Sequence, residues 1–326
     1  MTLFGLRYDL RCPVFGSATS AELAAAAIDQ CEWADRLGFV NVTLSEHHGS
    51  EDGYLPSPLV MAAAIASRTK NLRITIGALI APLHDPIRVA EDMAMLDVIC
   101  NGRLIPIFGA GYVVSEFATF GVPMRGRGRL VEETVRVLEK AWTGKPFEYR
   151  GATVRVTPRP VQQPRPPILL GGSSNVAARR AARIADGFLP SEPKFFDVYR
   201  EECLKLGKPD PGPPVPSLGT YLHVAEDPDA AWEKIAPHAM HEMNAYGSWA
   251  REAGVESPYE PIDDPDALRA MGAYPVMTPD ELIEACRKLG PTGMVTLHPL
   301  MGGTPPELAW GSLHLIESKV LPALRG

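Results

Sequence analysis

The sequence has few cysteines, and no two of them lie close enough to indicate a shared role. Its 326 residues contain only five, with no C-x-x-C pair: Cys12, Cys31, Cys100, Cys203 and Cys286. This odd number and wide spacing argue against a disulfide framework and against a zinc site built on cysteines. We therefore expect reduced thiols, as in a cytoplasmic protein.

Long apolar runs and an excess of positive charge are also missing. No apolar stretch approaches the roughly 20 residues of a membrane-spanning helix. Arg7, Asp9 and Arg11 interrupt the start of the chain, where a signal peptide would be apolar. The formal net charge of −7 argues against nucleic acid or an anionic membrane as the main partner. We expect a cytoplasmic protein.

Short β-branched or apolar runs alternate with longer helical patterns, which is typical of a parallel sheet built from βαβ units. Eight strands are predicted, at 3–10, 39–45, 73–80, 104–108, 168–170, 187–189, 218–224 and 293–298. The helix after strand one is predicted to begin at a capping box formed by Thr19 and Glu22, and the helix after strand five is predicted at 175–184. With about eight helices they fit an α/β fold of the (β/α)₈ or TIM barrel type, which needs roughly 250 residues. The alternative is an open doubly wound sheet, which usually carries a glycine-rich fingerprint after its first strand. This chain has Leu10-Arg-Cys-Pro13 there.

We predict a single domain over residues 1–326, with two insertions in the barrel pattern. The first, at about 145–167 after the fourth helix, alternates like a β-hairpin over 147–156 and then becomes rich in proline. The second, at about 227–276 after strand seven, is too long for one helix and its connections. Its later part, 247–276, is either a lid over the active site or a fixed helical insertion.

The segment that closes strand two carries the most reactive set of side chains, Ser45-Glu-His-His-Gly49. If the fold is a barrel, residues just after the strands line the active site. Histidine beside a carboxylate is suited to proton transfer near neutral pH, so Glu46 and His47 are the catalytic candidates. Histidines that only satisfy backbone groups are the alternative. A metal site is disfavoured, because adjacent side chains on a strand point to opposite faces.

Two glycine-rich turns follow strands four and five. Gly171-Gly-Ser-Ser174 has the chemistry of an anion cradle, because glycine lets backbone N–H groups approach a ligand, serine donates hydrogen bonds, and a helix begins there. Gly109-Ala-Gly111, followed by Tyr112, is an incomplete nucleotide motif. Either turn could instead be an ordinary connector.

Several short motifs occur along the chain, and their order and spacing, taken together, are specific for one superfamily of proteins. They are Ser45-Glu-His-His-Gly49, Pro56-Ser-Pro-Leu-Val60, Ile76-Gly-Ala-Leu-Ile-Ala-Pro82, His84-Asp-Pro-Ile-Arg-Val-Ala-Glu-Asp92, Leu96-Asp-Val-Ile-Cys-Asn-Gly-Arg103 and the segment 169–187. In these motifs the chain resembles the bacterial luciferase-like monooxygenases and their relatives that use the deazaflavin F420. The resemblance covers nearly the whole chain, from strand one to strand eight.

The resemblance implies a reduced flavin at the barrel mouth and a non-proline cis peptide at the end of strand three, which falls here at Gly77–Ala78. It places the flavin phosphate on Gly172, Ser173 and Ser174, and makes His47 the catalytic histidine that assists the reaction of the flavin with oxygen. A homodimer is implied as well. The full set of expected cofactor-binding residues is Gly77, Ala78, Gly109, Gly111, Tyr112, Gly171, Gly172, Ser173 and Ser174.

Three functions remain open. The first is a monooxygenase that uses reduced FMN and oxygen on a small organic substrate, with the flavin supplied by a separate reductase, since no NAD(P)H fingerprint is visible. The second is an F420-dependent dehydrogenase or reductase on the same fold. Ala110 leaves room for F420, because luciferase has a phosphate-binding arginine there, whereas Glu46-His-His48 favours FMN. The third is a catalytically idle flavin-binding protein, and His47 beside Glu46 argues against it.

Overall fold

The structure is a computed structural model that describes residues 2–325. The strands are β1 (Leu3–Tyr8), β2 (Asn41–Leu44), β3 (Arg73–Ile80), β4 (Leu104–Gly109), β5 (Phe147–Tyr149), β6 (Ala152–Val154), β7 (Leu169–Gly172), β8 (Gly187–Pro190), β9 (His223–Val224), β10 (Val276–Met277) and β11 (Met294–Leu297). The α-helices are α1 (Ser20–Leu37), α2 (Pro58–Arg68), α3 (Pro86–Ile99), α4 (Val114–Thr119), α5 (Arg127–Ala141), α6 (Asn175–Ile184), α7 (Pro193–Lys205), α8 (Pro228–Ala253), α9 (Pro265–Ala270), α10 (Pro279–Leu289), α11 (Pro306–Leu315) and α12 (Leu321–Arg325). Strands and helices alternate, as an α/β fold requires.

The chain divides into two compact units. The first unit comprises Met1–Thr43, His48–Pro56 and Val215–Gly326, and the second comprises Leu44–His47 and Ser57–Pro214. The main sheet has seven strands, of which β11, β1 and most of β2 belong to the first unit and β3, β4, β7 and β8 to the second. The strand pairs of the main sheet that lie within one unit are parallel, as the alternating pattern predicts.

In the first unit, β1 pairs with β11 from Leu3 opposite Met294 onward. The predicted start of α1 is confirmed, because Thr19 and Glu22 form a reciprocal capping box. Helix α8 has 26 residues and buries one face in an apolar cluster. The buried members of that cluster are Tyr221, Ala231, Trp232, Ile235, Ala236, Ala239, Met243, Leu268, Tyr274 and Met301.

In the second unit, β3 and α6 have the bounds that the sequence predicts. Helix α5 is amphipathic and buries Val131, Val135 and Leu138 on one face. The hairpin predicted at 147–156 is present as the antiparallel pair β5–β6. Over residues 2–325, none of the helices is both long and apolar enough to cross a membrane.

The predicted strand seven, 218–224, is wrong for most of its length. Only His223 and Val224 are in strand form, and they pair with β10 in a separate two-stranded sheet. Gly219 has φ of +97°, a left-handed conformation that an extended strand does not accommodate. The predicted strand seven is therefore not part of the seven-stranded sheet.

The segment 247–276 is ordered by contacts with α8. Gly247 lies inside α8, so it is not a hinge at which this segment could bend as a lid. Asn244 holds the following loop on both sides, since its Nδ2 donates to the Ile262 carbonyl at 3.0 Å and its Oδ1 accepts from the Ile262 N–H at 2.6 Å. The rings of Tyr246 and Tyr259 pack with centroids 4.8 Å apart.

Candidate functional site

His47 lies three residues after the end of β2 and is paired with a buried carboxylate. Its Nδ1 is 2.8 Å from Oε1 of Glu116, in the first turn of α4. An ionised carboxylate only accepts hydrogen bonds, so Nδ1–H donates to it and Nε2 is left as the second proton-exchanging atom. The Tyr112 ring stands edge-on to the imidazole, with centroids 5.9 Å apart. This carboxylate–imidazole pair can orient a general acid or base.

Glu46 has different hydrogen-bond partners from those of His47. Its buried carboxylate accepts a hydrogen bond from the backbone N–H of Ile80, and its Oε1 lies 2.7 Å from Nε2 of His84. These contacts tie residue 46 to the last residue of β3 and to the loop that precedes α3. The two catalytic candidates are therefore adjacent in sequence, but each is held by a separate carboxylate–histidine contact.

The glycines predicted to bind a cofactor meet at the carboxyl ends of β3, β4 and β7. The peptide bond Gly77–Ala78 is cis, which confirms that expectation. A Cβ added at Gly109 would lie 3.3 Å from the Ala78 Cβ, and one added at Gly171 would lie 3.7 Å from it. Because only small residues occur here, these strand ends form a flat surface with few side-chain atoms. We call Ala78, Gly109 and Gly171 the glycine surface.

The turn after β4 is fixed as well. Gly111 has φ of +69°, and a Cβ there would lie 2.7 Å from Cγ2 of Ile80, so both the conformation and the packing favour glycine. Arg127 donates from Nε to the Gly111 carbonyl at 3.0 Å. The turn thus holds Tyr112 against His47.

The predicted anion cradle lies where β7 leads into α6. Ser174 is the N-cap of α6, and its hydroxyl oxygen accepts from the Ala177 N–H at 3.2 Å. Its hydroxyl proton remains available to donate, and both Ser173 and Ser174 are exposed. A Cβ at Gly172 would lie 2.4 Å from the Ala177 Cβ, so close helix packing requires glycine there. Exposed hydroxyls at the positive end of a helix suit a phosphate group.

Sequence reasoning missed Glu116, the residue that pairs with His47. The only signal was a glutamate in the first turn of a short helix that begins three residues after Gly111. Such a residue reads as an ordinary helix-terminal acid. Only the fold shows that its side chain is buried and directed at an imidazole 69 residues away.

The chain matches the family model for luciferase-like monooxygenases over residues 12–296. It belongs to the luciferase-like monooxygenase family.

Relatives and solved structures in this family differ in the cofactor that their names give. The oxygenase component of a flavin-dependent trigonelline monooxygenase from Acinetobacter baylyi is 26% identical over 81% of this chain and 76% of that protein. An F420-dependent glucose-6-phosphate dehydrogenase from Nakamurella multipartita is 26% identical over 98% of this chain and 96% of that protein. The crystal structure of monooxygenase RslO1 from Streptomyces bottropensis has a TM-score of 0.76 and 26% identity, covering 98% of this chain and 99% of that one.

One match is partial. An uncharacterised protein, y4vJ, from Sinorhizobium fredii is 31% identical over 51% of this chain, and this chain spans 48% of that protein's length. The relatives of this chain thus include a flavin-dependent monooxygenase and an F420-dependent dehydrogenase.

Proposed function

We propose that this protein is a monooxygenase that binds reduced FMN and uses oxygen to modify a small organic substrate. The observation that carries the proposal is the buried contact between His47 and Glu116, in the same unit as the glycine surface and the α6 N-terminus. A protein that only stored flavin would have no need of an oriented, buried proton-transfer pair, since burying such groups costs free energy.

The residues present fit an FMN molecule. Gly171 has room for a Cβ at ordinary contact distances of 3.6–3.7 Å, so packing alone does not require a glycine there. A flat ring that must approach the backbone does explain it. We propose that Gly77, Ala78, Gly109, Gly111, Tyr112 and Gly171 bind the ring portion, whereas Gly172, Ser173 and Ser174 bind the phosphate. When bound, reduced FMN supplies the two electrons and the site of reaction with oxygen.

The side chains of the protein then bind the proton and hold the reacting groups in position. His47 holds or accepts a proton at Nε2, while Glu116 fixes its orientation. Glu46, which was predicted to be catalytic, acts as a positioning residue, because it binds the Ile80 N–H and His84. Tyr112 restricts the imidazole from one side.

The proposal also covers the domain organisation, the cellular location and the partners of the protein. We infer a single cytoplasmic domain over residues 1–326 that closes as a (β/α)₈ barrel, with insertions at about 145–167 and 227–276, and a homodimer on the strength of the family resemblance. A separate flavin reductase is the inferred partner, since a relative from Acinetobacter baylyi is named as an oxygenase component. All five cysteines are free thiols, which suits a reducing compartment.

F420 is the second candidate cofactor. The small side chain of Ala110 and the similarity to an F420-dependent glucose-6-phosphate dehydrogenase over 98% of this chain favour it. With F420 the reaction would be a hydride transfer without oxygen.

The test is the variant His47→Ala, assayed with saturating reduced FMN. The rate at which oxygen is consumed should fall roughly 10²–10⁴-fold, the usual contribution of general acid–base catalysis. FMN affinity should change by no more than a few-fold, because the imidazole is not a phosphate ligand. An unchanged rate in a folded variant would exclude the catalytic role of His47.

A further inference from the structure

The first unit contains a buried polar cluster that the proposed function does not use. Among the residues that the structure describes, most of the buried side-chain polar atoms without a hydrogen-bond partner belong to it. They are Asp9 Oδ2 and Arg11 Nε, which form an ion pair at 3.3 Å, Arg11 Nη2, Tyr221 Oη, Glu242 Oε2, Tyr274 Oη and both ring nitrogens of His298. Buried groups in this state cost free energy, so such a concentration in one place requires a physical explanation.

An imidazole between two carboxylates lies at the centre of the cluster. His298 is 1% exposed; its Nε2 lies 3.4 Å from Oδ1 of Asp9, and its Nδ1 lies 3.6 Å from Oε2 of Glu242. A neutral imidazole has one N–H and can donate to only one of these carboxylates. One additional proton, on the imidazole or on a carboxyl group, allows hydrogen bonds on both sides of the ring.

The charges around Asp9, His298 and Glu242 also favour the binding of one proton. Arg7 and Arg11 stay charged at all relevant pH values, and three carboxylates face them, those of Asp9, Asp52 and Glu242. With every carboxylate ionised and the imidazole neutral, the cluster carries a net charge of −1. A single proton neutralises it, whereas a divalent cation would raise it to +1. The two ring nitrogens also face different carboxylates, which suits a shared proton better than one metal ion.

We propose that Asp9, His298 and Glu242 form a buried triad that holds one exchangeable proton at neutral pH. The triad is an acid–base site separate from His47 and Glu116. Asp9 directly follows β1 and His298 directly follows β11, so the triad lies at the carboxyl ends of two paired parallel strands. Ligands bind at such strand ends in α/β proteins.

The electrostatics favour the glutamate side of the triad as the place of the proton. Burial raises the pKa of Glu242, and the negative charge of Asp9 adds to this effect. Burial alone would also raise the pKa of Asp9, but His298 and Arg11 outweigh it and hold that pKa low. The titratable groups around the triad are Arg7, Arg11, Asp52, Tyr54, Tyr221, Tyr246, Tyr259 and Tyr274, and His241 contacts Asp52.

The sign of the pH effect follows from this assignment. Above about pH 7, Asp9, Glu242 and His298 bind no proton in the unfolded chain, since their usual pKa values are lower. In the folded chain they bind one. Folding therefore takes up one proton, and stability contributed by the triad is lost as the pH rises.

The test compares the folding equilibrium constants of the parent chain and Glu242→Gln between about pH 7 and pH 9. Glutamine imitates the protonated acid, so the variant needs no extra proton. The ratio of its constant to that of the parent should rise roughly ten-fold per pH unit. Urea unfolding followed by tryptophan fluorescence measures it, because Trp33, Trp232, Trp249 and Trp310 all lie in the first unit. Neither flavin nor substrate is needed, so the result is independent of the proposed function.

Two further variants make the test decisive. Glu252→Gln changes an exposed carboxylate on the same helix, and its ratio should stay flat with pH. Asp9→Asn removes the contribution of the Asp9 charge but leaves Glu242 buried, so its ratio should rise less steeply with pH than that of Glu242→Gln, even if its stability is lower at every pH. The slope of this ratio against pH, and not the absolute stability, shows whether folding takes up a proton.

Two results would overturn the proposal. A flat ratio for Glu242→Gln would mean that Glu242 is ionised in the folded chain and that the triad takes up no proton on folding. Stabilisation of the EDTA-treated parent by Zn²⁺ or Mn²⁺, absent in Glu242→Gln, would identify the triad as a cation site instead.

Discussion

The contact between His47 and Glu116 gives a quantitative prediction for the variant Glu116→Gln. Glutamine keeps the size of the side chain and can still accept the Nδ1–H bond, but it lacks the negative charge. A hydrogen bond to a charged group contributes about 1.5–3 kcal/mol and one between neutral groups about 0.5–1.5 kcal/mol. Losing the charge while keeping the bond therefore costs about 1–1.5 kcal/mol, which corresponds to a rate change of roughly 5- to 13-fold. The side chains of Glu116 and His47 are 0% and 11% exposed, so water screens the interaction little. We therefore expect a loss toward the upper part of this range.

The assay needs no knowledge of the substrate. Protein loaded anaerobically with reduced FMN is mixed with oxygenated buffer in a stopped-flow instrument, and the return of oxidised-flavin absorbance gives the rate. FMN affinity, measured by fluorescence quenching, should change by no more than a few-fold. Glu148→Gln serves as the control, because Glu148 is an exposed carboxylate in the same unit, and its rate should equal that of the parent. A parental rate in a folded Glu116→Gln variant would refute the reasoning.

Three other changes test separate parts of the account. Ser173→Ala should weaken FMN binding by roughly ten-fold or more, since one hydrogen bond to a charged phosphate is lost; equal affinity in a fluorescence titration would place the phosphate elsewhere. Deletion of residues 256–266 should raise the ratio of hydrogen peroxide to product if this segment is a lid that excludes water; an unchanged ratio in a folded variant would assign it a fixed structural role. Burial raises the pKa of Asp186, but the hydrogen bonds from Arg165 and the Ile168 N–H, together with the charge of Arg165, outweigh it and lower the pKa. Stability from this pair should therefore be present at neutral pH and be lost on acidification below about pH 4, and Asp186→Asn should flatten that part of the unfolding profile.

Local patterns predicted the elements that depend on local physics. Strand β3 combines β-branched residues with a clear start and end, and helix α6 begins at a serine N-cap, so the predicted bounds of both are confirmed. The capping box of Thr19 and Glu22 marked the start of α1 for the same reason. The prediction of strand seven was wrong because the pattern of apolar residues gave no sign of the left-handed conformation of Gly219.

Features that depend on tertiary contacts were beyond reach of the sequence. Glu46 and His47 were predicted to act together, yet they have separate partners, Glu116 being one of them. The proton-holding triad joins Asp9 to His298 across most of the chain. No periodicity encodes such pairings, because they arise only when parallel strands place their carboxyl ends side by side.

The most direct test of the central claim is an anaerobic titration of the purified protein with reduced FMN and, separately, with reduced F420. Equilibrium dissociation constants are read from the change in cofactor fluorescence. The account predicts that FMN binds at least roughly ten-fold more tightly, a difference of about 1.4 kcal/mol, and that subsequent mixing with oxygen reoxidises it. Tighter binding of F420, or no binding of FMN, would contradict the assignment as an FMN-dependent monooxygenase.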